Sequence, residues 1–218
     1  MKRNDLASGR HCYLPEVLTP KALDDLREVV GKHEQAGQRI EESAPLFSSD
    51  GANQLTARIQ SIWPGMRPVR MVSFNKNVVS NWTVPWHQDH IIAVQDKSPV
   101  PGFSNWTRKG SVWHCEAPVH ILRKMLFVRL HLDDTTPEDG AMQIAVGSAR
   151  HERIPAGKAE AIARACPTET PCCNAGSAVV LPMLTLHRSS PTRTERPRRV
   201  LRVDFAATDL PKPLGWRA

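Results

Sequence analysis

The chain has 218 residues, 40% of them hydrophobic, which is enough for a single domain with a real core. Its formal charge of +7 suits nucleic acid or anionic small molecules and singles out neither. The five cysteines are odd in number and form no CxxC pair, and no apolar run approaches the roughly 20 residues of a membrane span. These features argue against a disulfide framework, a structural zinc site and a membrane partner. With no signal peptide visible after Met1, they favour a reducing cytoplasm.

Two amphipathic helices are predicted in the first third of the chain. The first covers residues 19–36, where Thr19 can cap the helix and Pro20 takes the first helical position. The second covers residues 52–63 and is ended by Pro64-Gly65. Apolar side chains recur at helical spacing in both segments, at Leu23, Leu26 and Val30 and again at Leu55, Ile59 and Ile62.

After the helices the hydrophobic period shortens to that of strands. We predict strands over residues 68–74, 125–132, 142–146, 178–186 and 199–205, with a turn at 137–140. Residues 95–124 have no clear period and are predicted to form a long loop over a site. The pattern indicates one mainly β domain over residues 1–218, a sandwich or jelly roll with flanking helices. Its helical part covers about 19–65 and its core about 66–206.

The chemistry-bearing residues lie in two short segments. His87 and Asp89 are two residues apart, so in an extended segment they point the same way, and His187 follows on a distant strand. Two histidines and one carboxylate can bind Fe(II) on one face and leave sites open for a cosubstrate and O2. Arg198, shortly after His187, can hold a carboxylate of 2-oxoglutarate. Spacing alone leaves His131-Leu132-Asp133 as an equally good HxD pair and leaves His90 as a local competitor of His87.

Several separate motifs resemble the bacterial branch of the phytanoyl-CoA dioxygenase family. They are Asn75-Lys76, Asn81-Trp82, residues 84–89, residues 100–103 with Trp106, residues 129–133, Gly140-Ala141-Met142, Gly147-Ser148, His187-Arg188-Ser189 and Arg198. The resemblance covers roughly residues 66–206. It implies a double-stranded β-helix that binds Fe(II) and uses 2-oxoglutarate and O2.

The same resemblance implies the role of each site residue. His87, Asp89 and His187 are the implied iron ligands, so His131 and Asp133 are not. Arg198 and Ser189 are implied to bind the distal carboxylate of 2-oxoglutarate, and Arg129 and Val72 also to contact the cosubstrate. The chain departs from the family where residues 146–151 replace a Pro-Gly-Ser-His turn and where an Asn after the distal histidine is absent.

The leading functional hypothesis is a dioxygenase that hydroxylates an unactivated C–H of a small metabolite and releases succinate and CO2. No separate acid or base is assigned, because the iron centre carries the chemistry. The expected substrate contacts are Trp82, Trp86, Trp106, Arg108, Trp113 and His114. The structural alternative is that Trp82 and Trp86 only pack the rim of the barrel and that Arg108 is solvated.

Two other functions are compatible with the same residues. One is a cupin-like metalloenzyme, an isomerase or hydrolase, that uses no 2-oxoglutarate and therefore gives Arg198 no reason to face the metal. The other is a basic nucleic-acid-binding module, suggested by the arginines between positions 188 and 202. No aromatic residues interleave with these arginines, so nucleic acid is the less favoured partner.

Overall fold

Antiparallel strand pairing dominates the computed structural model, which describes residues 6, 8–32, 37–41, 44–77 and 79–217. The strands are β1 (Cys12–Leu14), β2 (Gln38–Ile40), β3 (Arg67–Lys76), β4 (Val84–His87), β5 (Ile91–Val94), β6 (Ser104–Lys109), β7 (Val112–Glu116), β8 (Met125–His131), β9 (Met142–Ala145), β10 (Thr168–Glu169), β11 (Ala178–Pro182), β12 (His187–Ser189) and β13 (Arg198–Ala206). The helices are α1 (Pro20–Gly31), α2 (Asp50–Ile62), α3 (Val119–Leu122) and α4 (Ala156–Arg164).

Within these ranges the strands form three sheets. The major sheet has the order β1-β11-β8-β13-β3-β2, the minor sheet β10-β9-β12-β4, and the third sheet β5-β7-β6. Strand β13 lies inside the major sheet and pairs with β8 on one side and β3 on the other. The prediction of a mainly β jelly roll with helices packed outside is confirmed.

The major sheet buries both of its faces, as the alternation of β8 predicts. Leu126, Val128 and Leu130 pack with the apolar side chains of α1 and α2 on the outer face. Phe127 points to the opposite face and packs with residues of the minor and third sheets. The inner face of β8 and β13 therefore looks into the space between the sheets, where polar side chains from these strands converge.

The two long helices occur where they were predicted, with shifted ends. Thr19 Oγ1 accepts a hydrogen bond from the Ala22 backbone N–H at 3.4 Å, and α1 begins at the next residue. Helix α2 begins earlier than predicted because Ser49 caps it by accepting from the Ala52 N–H. The predicted end of the first helix, residues 33–36, lies outside the described residues. No helix in the described ranges is long and apolar enough to cross a membrane.

The prediction of a loop over residues 95–124 is wrong. The segment holds the hairpin β6–β7 and the short helix α3, and β7 also pairs with β5. The hairpin turns at Gly110-Ser111, with Gly110 in the left-handed region at φ 57°. Strand β6 has no buried residue, so it lacks the apolar alternation that identifies a strand in a sequence.

Candidate metal centre

Strand pairing brings the three predicted metal ligands together. His87 ends β4, His187 begins β12, and the two are direct partners in the antiparallel ladder. Asp89 lies two residues after the end of β4. One potential ligand atom from each of the three residues lies within 4.8 Å of the other two. Such a set of two imidazoles and one carboxylate matches a facial Fe(II) site.

Both histidines are oriented by backbone carbonyl groups. His87 Nδ1 lies 2.9 Å from the carbonyl oxygen of Pro85, and His187 Nδ1 lies 3.0 Å from that of Thr185. A carbonyl oxygen only accepts, so each Nδ1 carries the proton and each Nε2 keeps its lone pair. Burial, together with the nearby His187, lowers the pKa of His87 and favours the neutral ring that a metal requires.

A buried ion-pair network holds the third ligand. Arg202 Nη1 donates to Asp89 Oδ2 at 2.6 Å, while Arg202 Nε and Nη2 donate to the two oxygens of Asp204 at 2.7 and 3.1 Å. Burial by itself would raise the pKa of Asp89, but the charge of Arg202 holds it well below its usual range. Asp89 is therefore an oriented carboxylate at neutral pH, and its Oδ1 is free of the arginine.

The three residues open into a cavity of about 230 Å³ between the major and minor sheets. Its walls are predominantly basic and aromatic. They comprise the three predicted ligands with Arg70, Phe74, Trp82, Val84, Arg129, Met142, Arg188, Ser189, Arg198 and Arg202. Arg198, Ser189 and Arg129, the predicted cosubstrate residues, all line this cavity.

Arg198 offers unused hydrogen-bond donors beside the predicted ligands. Its side chain is 2% exposed, and Nε and Nη1 have no partner among the described residues. Burial lowers its pKa to about 10, so the guanidinium remains charged at neutral pH. A buried charge without a counterion is costly unless an anion accompanies it, so this arginine suits a ligand carboxylate.

Ser189 and Lys76 lie at the same end of the cavity as Arg198. Lys76 is directly opposite Arg198 in the β3–β13 ladder, and its Nζ lies 3.5 Å from Ser189 Oγ. Val72, also predicted to contact the cosubstrate, lies between Arg70 and Phe74 on the inner face of β3 but does not line the cavity.

The competing HxD pair is divided between two environments. His131 Nδ1 lies 2.9 Å from Thr135 Oγ1, and burial lowers its pKa to about 3. Asp133 instead accepts hydrogen bonds from the backbone N–H, Nε and Nη2 of Arg199. His131 and Asp133 therefore form no metal cluster. His90 is bonded to Gln88 Oε1 and faces a different cavity.

Only one of the predicted substrate contacts lines the cavity. Trp82 does so, with Lys76 Nζ 4.8 Å from its ring centroid. Trp86 is 7% exposed and packs with Leu186 and the apolar face of α4, as the structural alternative stated.

The other predicted contacts belong to the third sheet and do not line the cavity. Trp106 packs against the core, while exposed Arg108 lies over the ring of Trp113. His114 is buried against Arg39. Their role as substrate contacts is therefore not supported.

Sequence reasoning missed the residues that support Asp89. Along β13, Arg198, Arg202 and Asp204 share the inner face, whereas Leu201 and Val203 pack outward with the helices. This alternation is readable in the sequence and would have separated Arg202 from its exposed basic neighbours. The pairing of Arg202 with Asp89 depends on tertiary structure.

Solved structures with the same architecture include complexes with metals and 2-oxoglutarate. EctD from S. alaskensis in its apo form has a TM-score of 0.69 and 13% identity, covering 98% of this chain and 80% of its own. The epimerase SnoN in complex with Fe3+, alpha ketoglutarate and nogalamycin RO has a TM-score of 0.67 and 13% identity, covering 97% and 90%. HygX from Streptomyces hygroscopicus with nickel, 2-oxoglutarate and hygromycin B has a TM-score of 0.62 and 14% identity, covering 94% and 86%. At these identities the likeness shows the fold.

The fold and the His-Asp-His cluster define a jelly-roll protein of the architecture found in 2-oxoglutarate-dependent enzymes. A search among curated proteins gives no match. The family model described as phytanoyl-CoA dioxygenase (PhyH) matches residues 8–200. The chain therefore belongs to the phytanoyl-CoA dioxygenase family, in agreement with the resemblance of its motifs.

Proposed function

We propose that this protein is an Fe(II)- and 2-oxoglutarate-dependent oxygenase that acts on a small molecule. His87, Asp89 and His187 would hold the metal, and Arg198 with Ser189 would hold the distal carboxylate of 2-oxoglutarate. When bound, the metal and cosubstrate supply oxidative decarboxylation to succinate and CO2, coupled to attack on a C–H bond. The cysteines, none of which forms a disulfide, are compatible with a cytoplasmic enzyme.

The observation that carries this proposal is the pairing of two incomplete binding sites in one cavity. The His-Asp-His cluster offers three ligand atoms and leaves coordination positions for another ligand. On the wall of the same cavity, Arg198 offers buried donors that have no partner in the part of the chain that the structure describes. A metalloenzyme without a dicarboxylate cosubstrate would have no use for this arginine, so the residue distinguishes the oxygenase from the cupin-like alternative.

The protein side chains would orient ligands and exclude water. The two backbone carbonyls fix the imidazoles, and Arg202 fixes the carboxylate of Asp89. Arg129 is 8% exposed and stacks over Phe74, so it adds positive charge close to the expected cosubstrate. We propose a contact of Arg129 with 2-oxoglutarate and a lesser packing role for Val72.

We propose hydroxylation of a C–H bond as the reaction. The ligand carboxylate Asp89 is present, whereas enzymes that transfer a halide give up that ligand to make room for it. SnoN, which shares this fold, is an epimerase that depends on alpha ketoglutarate, so epimerisation is the alternative outcome. A substrate product heavier by one oxygen atom supports hydroxylation, and a product of unchanged mass supports epimerisation.

The cosubstrate class is tested by titrating Fe(II) and 2-oxoglutarate into the protein without oxygen. We expect a weak visible charge-transfer band that requires both components and is absent in His187→Ala. Arg198→Met should weaken 2-oxoglutarate binding by about 10- to 100-fold, because a charge-assisted pair contributes about 1.5–3 kcal/mol. Arg193→Met is the matched control, since that side chain is exposed and lies on the connection that leads into β13.

Two results would contradict the proposal. A folded protein that gives no band with both components would exclude 2-oxoglutarate as a metal ligand. Equal 2-oxoglutarate affinity in Arg198→Met and Arg193→Met would show that Arg198 does not bind the cosubstrate. That result would favour the cupin-like alternative.

A further inference from the structure

The inner face of the major sheet carries more positive charge than the proposed cofactors require. Among the residues that the structure describes, four arginines of this face point into the cavity, and two carboxylates, Asp89 and Asp204, compensate them. Fe(II) and the 2-oxoglutarate dianion add equal and opposite charges, so an excess of two positive charges remains. The arginines are Arg70, Arg129, Arg198 and Arg202. Arg188 is not counted, because it belongs to β12 of the minor sheet, where its guanidinium lies over Trp86.

The ladder places Arg70 at the opposite end of the cavity from Arg198. Arg198 is paired with Lys76 at one end of the β13–β3 ladder, and Asp204 is paired with Arg70 near the other end. Six residues of strand correspond to about 20 Å between their backbone positions. Asp89 is bonded to Arg202, between these ends, so the candidate metal centre separates Arg70 from the cosubstrate arginine.

The guanidinium of Arg70 is incompletely paired with hydrogen-bond acceptors. Its one contact with a carboxylate is 3.4 Å long, to Asp204 Oδ2, and that oxygen already accepts from Arg202 Nη2 at 3.1 Å. The Nε of Arg70 is buried and has no partner among the described residues. Arg70 therefore has donor capacity in the part of the cavity that 2-oxoglutarate would leave open.

Arg39 reinforces the positive charge behind Arg70. Its Nη1 lies 2.6 Å from His114 Nε2, and its Nη2 donates to the carbonyl oxygen of Arg217 at 2.8 Å. Burial, and then the charge of Arg39, lowers the pKa of His114 to about 4. The neutral ring therefore accepts the hydrogen bond from Arg39 and adds no charge. Arg39 remains a cation, and the carboxylate beside it, Glu41, is exposed.

We propose that the primary substrate carries an anionic group, a carboxylate or a phosphate, that binds Arg70 on the Asp89 side of the cavity. The inference rests on the proposed function and names its substrate class. Arg39 strengthens the local field without contacting the substrate. A cationic compound would be repelled from this end, and a neutral compound would leave Arg70 with only its 3.4 Å contact with Asp204.

The test uses enzyme loaded with Mn(II), which replaces Fe(II) and prevents turnover, and saturated with 2-oxoglutarate so that Arg198 is engaged. Acetate and inorganic phosphate are titrated separately, and the paramagnetic relaxation of the acetate protons or the phosphate phosphorus reports binding close to the metal. We expect saturable relaxation in the wild type and in Arg164→Gln, whose side chain is 78% exposed. Binding should be about 10- to 100-fold weaker in Arg70→Gln.

Two further variants keep the test decisive. Arg70→Lys retains the charge and should lose less than tenfold in affinity, and Arg39→Gln should weaken binding less than Arg70→Gln does. Thermal unfolding followed by circular dichroism establishes that each variant is folded. The stronger of the two probes identifies the anionic group as carboxylate or phosphate.

Failure of the inference differs from failure of the proposed function. Equal affinity in Arg70→Gln and wild type, or no saturable relaxation in a wild type that binds Mn(II) and 2-oxoglutarate, would overturn the anionic-substrate inference alone. A wild type that fails to bind Mn(II) and 2-oxoglutarate together would overturn the proposed function, and the inference with it.

Discussion

Replacing Arg202 with methionine should destabilise the fold strongly, because it removes the arginine that pairs with two carboxylates and leaves Asp204 with only its 3.4 Å contact with Arg70. The side chain of Asp204 is 1% exposed and that of Asp89 is 18% exposed, and Arg202 supplies three of their hydrogen bonds at 2.6, 2.7 and 3.1 Å. Removing one partner of a buried ion pair costs about 3–5 kcal/mol. For a chain of this length that loss corresponds to a fall of roughly 6–20 °C in Tm.

The assay is urea unfolding of the metal-free protein, with circular dichroism as the readout, at neutral pH. Arg199→Met is the matched control, because Arg199 lies on the same strand, β13, but binds Asp133 on the helix side of the sheet. It should lower stability by less, since its ion pair is more exposed. Adding Asp204→Leu to Arg202→Met should recover part of the loss, because the carboxylate that it removes keeps only its 3.4 Å contact with Arg70 in the single variant.

A loss below about 1 kcal/mol in Arg202→Met would refute this reasoning, because surface-like ion pairs contribute no more than that. The same conclusion would follow if Asp204→Leu made the variant less stable instead of more stable. In either case, water would have to replace the arginine at both carboxylates.

Three further outcomes follow from the same structure. His187→Ala should abolish the Fe(II)–2-oxoglutarate band and His131→Ala should retain it; the opposite result in this titration would reassign the metal ligands. Burial and two arginines lower the pKa of Lys76 to about 7, far below the unfolded value near 10.4. Between these two pH values the unfolded chain therefore binds more protons at Lys76 than the folded protein does. As the pH is raised from 7 to 10, the urea midpoint should therefore increase in the wild type and increase less in Lys76→Met. An equal dependence on pH in both proteins would exclude the lowered pKa of Lys76. Trp86→Ala should cost about 3–5 kcal/mol in urea unfolding and leave 2-oxoglutarate affinity unchanged, whereas lost affinity in a stable variant would restore its role at the site.

Local sequence signals were sufficient for the elements that carry strong periodicity. Thr19 and Pro20 predict the start of α1, and the alternation of side chains along residues 125–132 assigns the two faces of β8 correctly. The hairpin β6–β7 was missed because β6 has no fully buried residue and derives its order from pairing with β7. Strands β4 and β12 are too short to show a period, although they carry both histidines.

The sequence by itself determined the ligand types at the candidate centre and the family motifs that connect them. Which HxD pair joins His187 could be decided only by likeness to the family or by tertiary structure. His187 is opposite His87 in one ladder, whereas Asp133 is turned to the helix side by Arg199. The attachment of Arg202 to Asp89 joins residues 113 positions apart in the chain. Local pattern cannot specify such contacts, because they arise from the register between strands and from the cost of burying charges without a counterion.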